Sequence, residues 1–528
     1  METKSKSYKE SVLGQLEPAA VFSFFEEICH IPHGSGNTER ISSYCESFAK
    51  DRGLECRRDE IGNVIIRKDG AVGYEDREPV ILQGHMDMVC VAEEGYEIDF
   101  EKEGLKLRVD GDIISAEGTS LGGDDGIAVA MALALLDSEM IPHPPLEVVL
   151  TVDEEVGMLG AAAIDLSDLK GRRLLNLDSE DEGYLLVSCA GGATVTASLP
   201  IHPDADSKPV LTGILQVAGL RGGHSGVEID KGRANACMLL GRALEHLEIT
   251  AKQAGYRILL GALHGGGKDN AIPDQAQAEF VVSMAQEGDD AAFDLIGHDA
   301  ASKEREDSLR ERLNRTVEEC RRIFRSEYAK TEPDMEVKLT LKEAKGEQGK
   351  DIKGGAVADA SCSGKMISML RLLPNGIQKM SQDIPGLVQT SLNLGILETV
   401  EERLDASFSV RSSLASEKEE MILRIRRLMY ELGGSVSVAG DYPAWEYKQD
   451  SPLRDLMRKV FIAQYGKEPV MQSIHAGVEC GLFAAKLPQM DGVSFGPDMK
   501  DIHSPKETMD VASVKRTWEY LLAVLKEM

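Results

Sequence analysis

Aromatic residues are scarce in this 528-residue chain, at 5% with two tryptophans, which argues against a surface on which nucleobases stack. Positive charge is short as well. The 59 Lys and Arg against 89 Asp and Glu leave a net charge of -30, which repels nucleic-acid phosphates and anionic lipid but suits metal cations. No apolar run reaches the ~18 to 20 residues that span a bilayer, and the opening METKSKSYKESVLGQLEP lacks an apolar signal core. These absences predict a cytoplasmic protein with neither nucleic acid nor membrane as partner. The nine cysteines are scattered and never spaced as CxxC, so they read as reduced, mostly buried thiols. Neither GxGxxG nor GxxxxGK[ST] occurs, and Asp124 and Asp125 in LGGDDG would repel a phosphate.

What is present is globular: 42% hydrophobic and 28% charged residues, in a chain too long for one ordinary core. Amphipathic segments near 18–30 and 37–51 are followed by strand patterns at NVIIRK and PVILQG, a helix at GIAVAMALALLDSE, and strands at LEVVLTV and RLLNLD. That alternation predicts an α/β catalytic domain with a mixed, largely parallel sheet flanked by helices. After about residue 190 the texture changes to GGATVTASLPI and a long charged helix near 303–330, and it returns to α/β from YPAWEYKQDSPL onward. The expected organisation is a catalytic domain in two parts, 1–191 and 442–528, with an inserted α+β lid domain at 192–441.

Ligands of such sheets gather at the carboxyl ends of strands. VILQGHMDMV sets His85 and Asp87 two residues apart, on one side of an extended segment. TVDEEVG places three acids after a near-continuous apolar strand, where Glu154 and Glu155 can diverge, one toward a metal and one toward a water. NLDSED ends a strand with Asp178 and Glu180, and DIHSPKE presents His503 in a loop. Acid runs are usually solvated faces, and acids at helix starts are usually caps. A lone histidine is usually structural, and His30, His143, His202, His246 and His298 fall in that class. His85 and His503 differ by their company, because two imidazoles with several carboxylates match the N/O ligand set of zinc or manganese.

GHMDMV, GGDDGIA, DEEVGMLGA, NLDSE, GGHSG and DIHSPKE, in this order, resemble the co-catalytic zinc peptidases that include carnosinases, aminoacylases and glutamate carboxypeptidases. IHAGVECG and the long lid are most similar to the bacterial Xaa-His dipeptidases. The resemblance implies two divalent ions per subunit, Zn2+ first, with Mn2+ and Co2+ as alternatives. His85 and Asp178 would hold one ion, Glu155 and His503 the other, and Asp124 would bridge them; Asp125, where relatives often have a neutral residue, would change no ligand. Asp87 would orient the imidazole of His85, and Glu154 would be the general base acting on a metal-bridged hydroxide. His224 of GGHSG would stabilise the oxyanion, from its own chain or from a partner across a homodimer formed by the lid. Asn235, Asn270 and Arg411 match positions that hold a substrate's terminal carboxylate, and Gly477 would bring backbone close to it. Cap or turn duty for the asparagines and a strand-surface ion pair for Arg411 stand as alternatives, and His475 and Glu479 read as structural. The implied activity is hydrolysis of dipeptides, Xaa-His above all. An aminoacylase, a tripeptidase, a carboxypeptidase or a non-catalytic metal-binding relative are the competing readings.

Overall fold

Short apolar runs punctuated by turns build the first sheet. In chain order its strands are β1 (Glu55–Arg58), β2 (Val64–Lys68), β3 (Val80–His85), β4 (Leu146–Thr151), β5 (Arg173–Asn176), β6 (Tyr184–Cys189), β7 (Val470–Ile474) and β8 (Asp491–Ser494). The structure, a computed structural model, describes residues 11–205, 207–285, 302–344 and 357–528. The spatial order is β1-β2-β4-β3-β5-β8-β6-β7. The adjacent pairs β4/β3, β3/β5 and β5/β8 are parallel, as is β6/β7, while β1/β2, β2/β4 and β8/β6 are antiparallel, so the sheet is mixed with a parallel centre.

Both faces of the sheet are covered, which is why β3 and β4 are buried along their whole length. On one face Val64, Ile66, Leu82, Val148 and Leu175 pack with helices α1 (Ala19–Cys29), α2 (Gly123–Asp137), α3 (Pro452–Tyr465) and α5 (Val511–Glu527). On the other, Ile65, Ile81, Val149 and Leu174 pack with Cys480 and Phe483 of α4 (Glu479–Lys486). Residues two apart on a strand share a face, so each strand divides its apolar residues between the two cores.

The chain forms two compact units, residues 1–189 with 445–528, and residues 190–444. Where it leaves and re-enters the first unit, Cys189 and Trp445 exchange backbone hydrogen bonds of 3.0 and 3.2 Å. The second unit has an antiparallel sheet running Glu336–Glu343, Pro209–Ala218, Ala276–Met284, Tyr256–Gly266, Val388–Val400, Arg403–Ser412, Gly191–Pro200 and Ser435–Tyr442, with Gly376–Met380 added to Val388–Val400. Helices Ala236–Gln253, Ser302–Glu327, Ala360–Leu372 and Ala415–Leu432 contribute to its core. Residues 286–301 and 345–356 of the acidic stretch lie outside the described residues; of the loop expected at LKEAKGEQGKDIKGGAVADASCSG, Leu341–Glu343 instead end the strand Glu336–Glu343 and Ala360–Gly364 begin the helix Ala360–Leu372. Among the described residues no helix is long and apolar enough to cross a membrane.

Candidate metal centre

The parallel strands deliver their chemistry at their carboxyl ends. His85 is the last residue of β3, Asp153 to Glu155 follow β4, and Asp178 lies two residues beyond β5. Asp124 arrives from the first turn of α2, which can approach β3 because residue 84 is glycine: a Cβ there would stand 2.6 Å from Oδ2 of Asp125 and 2.7 Å from Cβ of Ala128. His503 sits between the paired strands Met499–Lys500 and Thr508–Asp510, and the second of these pairs with Ile113–Ala116. Asp153 (φ 55°) and His503 (φ 59°) adopt left-handed backbone, uncommon outside glycine and concentrated at functional sites.

The five expected ligands come together. Nε2 of His85 lies 3.1 Å from Oδ1 of Asp124 and 3.8 Å from Oδ1 of Asp178. Nε2 of His503 lies 3.1 Å from Oδ2 of Asp124 and 2.8 Å from Oε1 of Glu155. Ligand atoms of His85, Asp124 and Glu155 fall within 4.8 Å of one another, as do those of His85, Asp125 and Asp178. Asp125, read from the sequence as changing no ligand, therefore lies within the cluster, and its Oδ2 also accepts the backbone N–H of His85 at 3.1 Å.

Asp87 does more than orient one ring. Nδ1 of His85 donates to the backbone carbonyl of Asp87 at 3.0 Å and stands 3.5 Å from its Oδ1, which leaves Nε2 facing the carboxylates. The Asp87 carboxylate itself accepts the N–H groups of Glu154 (3.0 Å) and Glu155 (3.3 Å) and the hydroxyl of Ser35 (2.8 Å). It thus ties the end of β3 to the acidic loop after β4.

Electrostatics tests whether this donor set suits cations. Burial disfavours a charged His85, yet Asp124, Asp87 and Asp178 hold its pKa well above the usual imidazole value. Hydrogen bonds to Asp124 and Glu155 push His503 up to about 10. Burial and the adjacent Asp125 push Asp178 well above the carboxylate range. A pocket that draws protons onto both imidazoles and onto a carboxylate holds an excess of buried negative charge, and divalent cations on these N and O donors would neutralise it. The residues fit such ions. Burial pushes Glu154 up to about 8, with His85 opposing and Glu479 and Glu155 reinforcing the shift.

In the second unit, Gly223–His224 pairs with Ala271–Ile272. Nδ1 of His224 accepts the N–H groups of Gly226 and Val227, both at 3.1 Å, which leaves the ring proton on Nε2. Burial and nearby Arg411 hold its pKa below the usual value, so the neutral ring is favoured. Arg411 is buried in Arg403–Ser412 and donates to the Tyr442 hydroxyl at 3.0 Å. Asn235 is occupied: Oδ1 caps helix Ala236–Gln253 through Cys237 and Met238, and Nδ2 donates to Asn393 and to the carbonyl of Leu394. Asn270 is exposed, and its carbonyl accepts the N–H of Ser225 at 2.8 Å. Gly477 lies in the first unit, in the loop between β7 and α4.

Residues 81–527 match peptidase family M20/M25/M40. The cytosol non-specific dipeptidase of Escherichia coli (strain K12) is 35% identical over 518 residues, which is 98% of this chain and 99% of that protein. The chain belongs to the M20/M25/M40 peptidase family. The crystal structure of aminoacylhistidine dipeptidase from Vibrio alginolyticus matches with a TM-score of 0.84 at 34% identity, covering 99% of each chain. An aminopeptidase from Bacillus cereus shares the fold with a TM-score of 0.51 at 16% identity, covering 97% of this chain and 99% of that one. The protein is accordingly a peptidase, of the hydrolase class.

One residue of this M20 peptidase escaped the sequence reading. The carboxylate of Glu507, in DIHSPKE, accepts backbone N–H groups from Leu121 (2.8 Å), Gly122 (3.2 Å), Gly123 (2.8 Å) and Asp124 (3.4 Å). It locks the loop that carries His503 to the loop that carries Asp124. Its place four residues after a candidate ligand was visible in the sequence; its partners, more than 380 residues away, were not.

Proposed function

We propose that the protein is a di-metal dipeptidase. The observation that carries this reading is the division of Asp124 between His85 on one carboxylate oxygen and His503 on the other. His85 and Asp178 would hold one divalent ion, Glu155 and His503 the second, and Asp124 would be a ligand common to both; the N/O donor set favours zinc. When bound, the ions supply Lewis acidity, polarising a scissile carbonyl and making a nearby water more acidic.

The chain's own residues do the rest. Glu154, whose backbone is held beside the ligands by Asp87, accepts the water's proton and returns it to the leaving amine. Asp87 fixes the His85 ring and the backbone of Glu154, so base and ligands keep one geometry. His224, a neutral Nε2–H donor, suits a developing oxyanion, and Arg411 suits a terminal carboxylate.

Dipeptides are the substrate class, supported by the names of the Escherichia coli and Vibrio alginolyticus relatives. The Vibrio name favours Xaa-His substrates and the Escherichia coli name a broader range, so both are tested together. Metal-replete protein is assayed on β-alanyl-histidine, glycyl-histidine, other dipeptides, tripeptides and N-acetyl amino acids. Turnover confined to tripeptides or N-acetyl amino acids would refute the dipeptidase reading. The name of the Escherichia coli relative supports a cytosolic location, and the homodimer expected from the sequence motifs is checked by sedimentation of purified protein.

A further inference from the structure

Three central strands follow one pattern along the face that meets α4. It runs Ile81, Gln83, His85 on β3, Leu174, Asn176, Asp178 at β5, and Val149, Thr151, Asp153 at β4. In each, an apolar residue is followed two positions later by an uncharged polar one, and two later again by a residue of the metal centre or its loop. The apolar members belong to the core beneath. The polar members Gln83, Thr151 and Asn176 are 1%, 0% and 0% exposed.

They form one hydrogen-bonded layer, organised by Glu479, the first residue of α4. Oε2 of Glu479 accepts from Nε2 of Gln83 at 2.5 Å and from the hydroxyl of Thr151 at 2.6 Å. Oε1 of Gln83 in turn accepts from Nδ2 of Asn176. An acid in the first turn of a helix complements the dipole, but that duty is met at the surface. Glu479 is 0% exposed, and its Oε1 has no hydrogen-bond partner among the described residues. Burying a carboxylate this way is costly.

The layer's position explains the cost. The β3–β5 ladder stops at Gln83 and Asn176, and the β3–β4 ladder stops at His85 and Thr151. One backbone bond follows each rung, Leu177 N–H to the Gln83 carbonyl (3.0 Å) and Met86 N–H to the Thr151 carbonyl (2.8 Å), and the ligands lie at these strand ends.

We propose that Glu479 is a positioning residue for the metal centre. Through Gln83 and Thr151, and through Gln83 to Asn176, it pins the ends of β3, β4 and β5 together and so sets the spacing of His85, Glu155 and Asp178. The inference rests on the di-metal reading and deepens it.

The test uses the full chain reconstituted with Co2+, reading Co2+ dissociation by chelator competition and the visible spectrum of the bound ion, with thermal unfolding alongside. Glu479→Leu removes both acceptor contacts and should weaken Co2+ binding by about 10- to 100-fold and change the spectrum. Glu479→Gln keeps a carbonyl oxygen for both donors and should stay within about threefold of wild type, a rescue on hydrogen-bond grounds. Thr151→Val keeps the shape and loses one donor; it should fold and show the same spectral change in smaller degree, and it decides the matter should Glu479→Leu fail to fold. Folded variants with wild-type Co2+ affinity and spectrum overturn the proposal, whatever their melting temperatures, and so does a Glu479→Gln variant as impaired as Glu479→Leu. Wild-type protein that takes up no pair of Co2+ ions sinks the di-metal reading itself, which separates the two failures.

Discussion

His503 reaches Oδ2 of Asp124 at 3.1 Å across 379 residues of sequence. Because Oδ1 of the same carboxylate faces His85, Asp124 is the one side chain whose loss should empty both metal positions. Purified protein should carry close to two divalent ions per chain by elemental analysis, and Asp124→Ala close to none. Full occupancy in that variant would contradict the bridging role.

Glu154 should separate binding from chemistry. Glu154→Gln removes the proton acceptor while leaving the backbone N–H that Asp87 holds. It should keep its metals and lose about 10²- to 10⁴-fold in kcat. An active variant removes Glu154 as the base.

Glu507 should matter for stability and for metal binding together. Glu507→Ala leaves the N–H groups of Leu121 to Asp124 without their carboxylate, which should cost about 3 kcal/mol. Both tryptophans, Trp445 and Trp518, lie in the first unit, so their fluorescence during urea unfolding reports the affected part. The same variant should hold metal less tightly, since the loops of Asp124 and His503 lose their clasp.

Glu479 predicts a pH dependence in metal-free protein. Burial pushes its pKa up to about 7 from the ordinary 4.5 of a glutamate. Between those values the unfolded chain has released this proton while the folded chain retains it, so this group's contribution to stability falls as pH rises through that window and levels off above it. The full effect is on the order of 3 kcal/mol. Metal-free Glu479→Gln should therefore lose less stability than wild type between about pH 5 and pH 8. An identical pH slope in the two proteins would contradict a buried, proton-retaining Glu479.

His224→Ala should lower kcat by about 10²- to 10³-fold with a smaller effect on KM, as expected for an oxyanion donor. A change confined to KM would assign His224 to substrate binding alone.

That His85, Glu155 and Asp178 stand at strand ends was legible in the sequence because short apolar runs that stop at acids and histidines carry a local signature. VILQGHMD, LEVVLTVDEE and RLLNLDSE each show a buried strand that stops at a polar side chain. Asp87 is read from the sequence as the partner of the His85 ring, and its carboxylate also holds the backbone of Glu154 and Glu155, a contact no spacing rule contains. Asn235 was a candidate for substrate, and the structure engages its amide in a helix cap and a bridge to Asn393.

By itself the sequence determined which side chains exist at strand ends, since alternation and apolar runs are properties of neighbours along the chain. Only the tertiary structure decided that His503 and Asp124 share a site, that Glu507 clasps four distant N–H groups, and that Glu479 lies under three strands. Those contacts join segments hundreds of residues apart, and such pairings are settled by the packing of helices and strands around a common core, which no local pattern records.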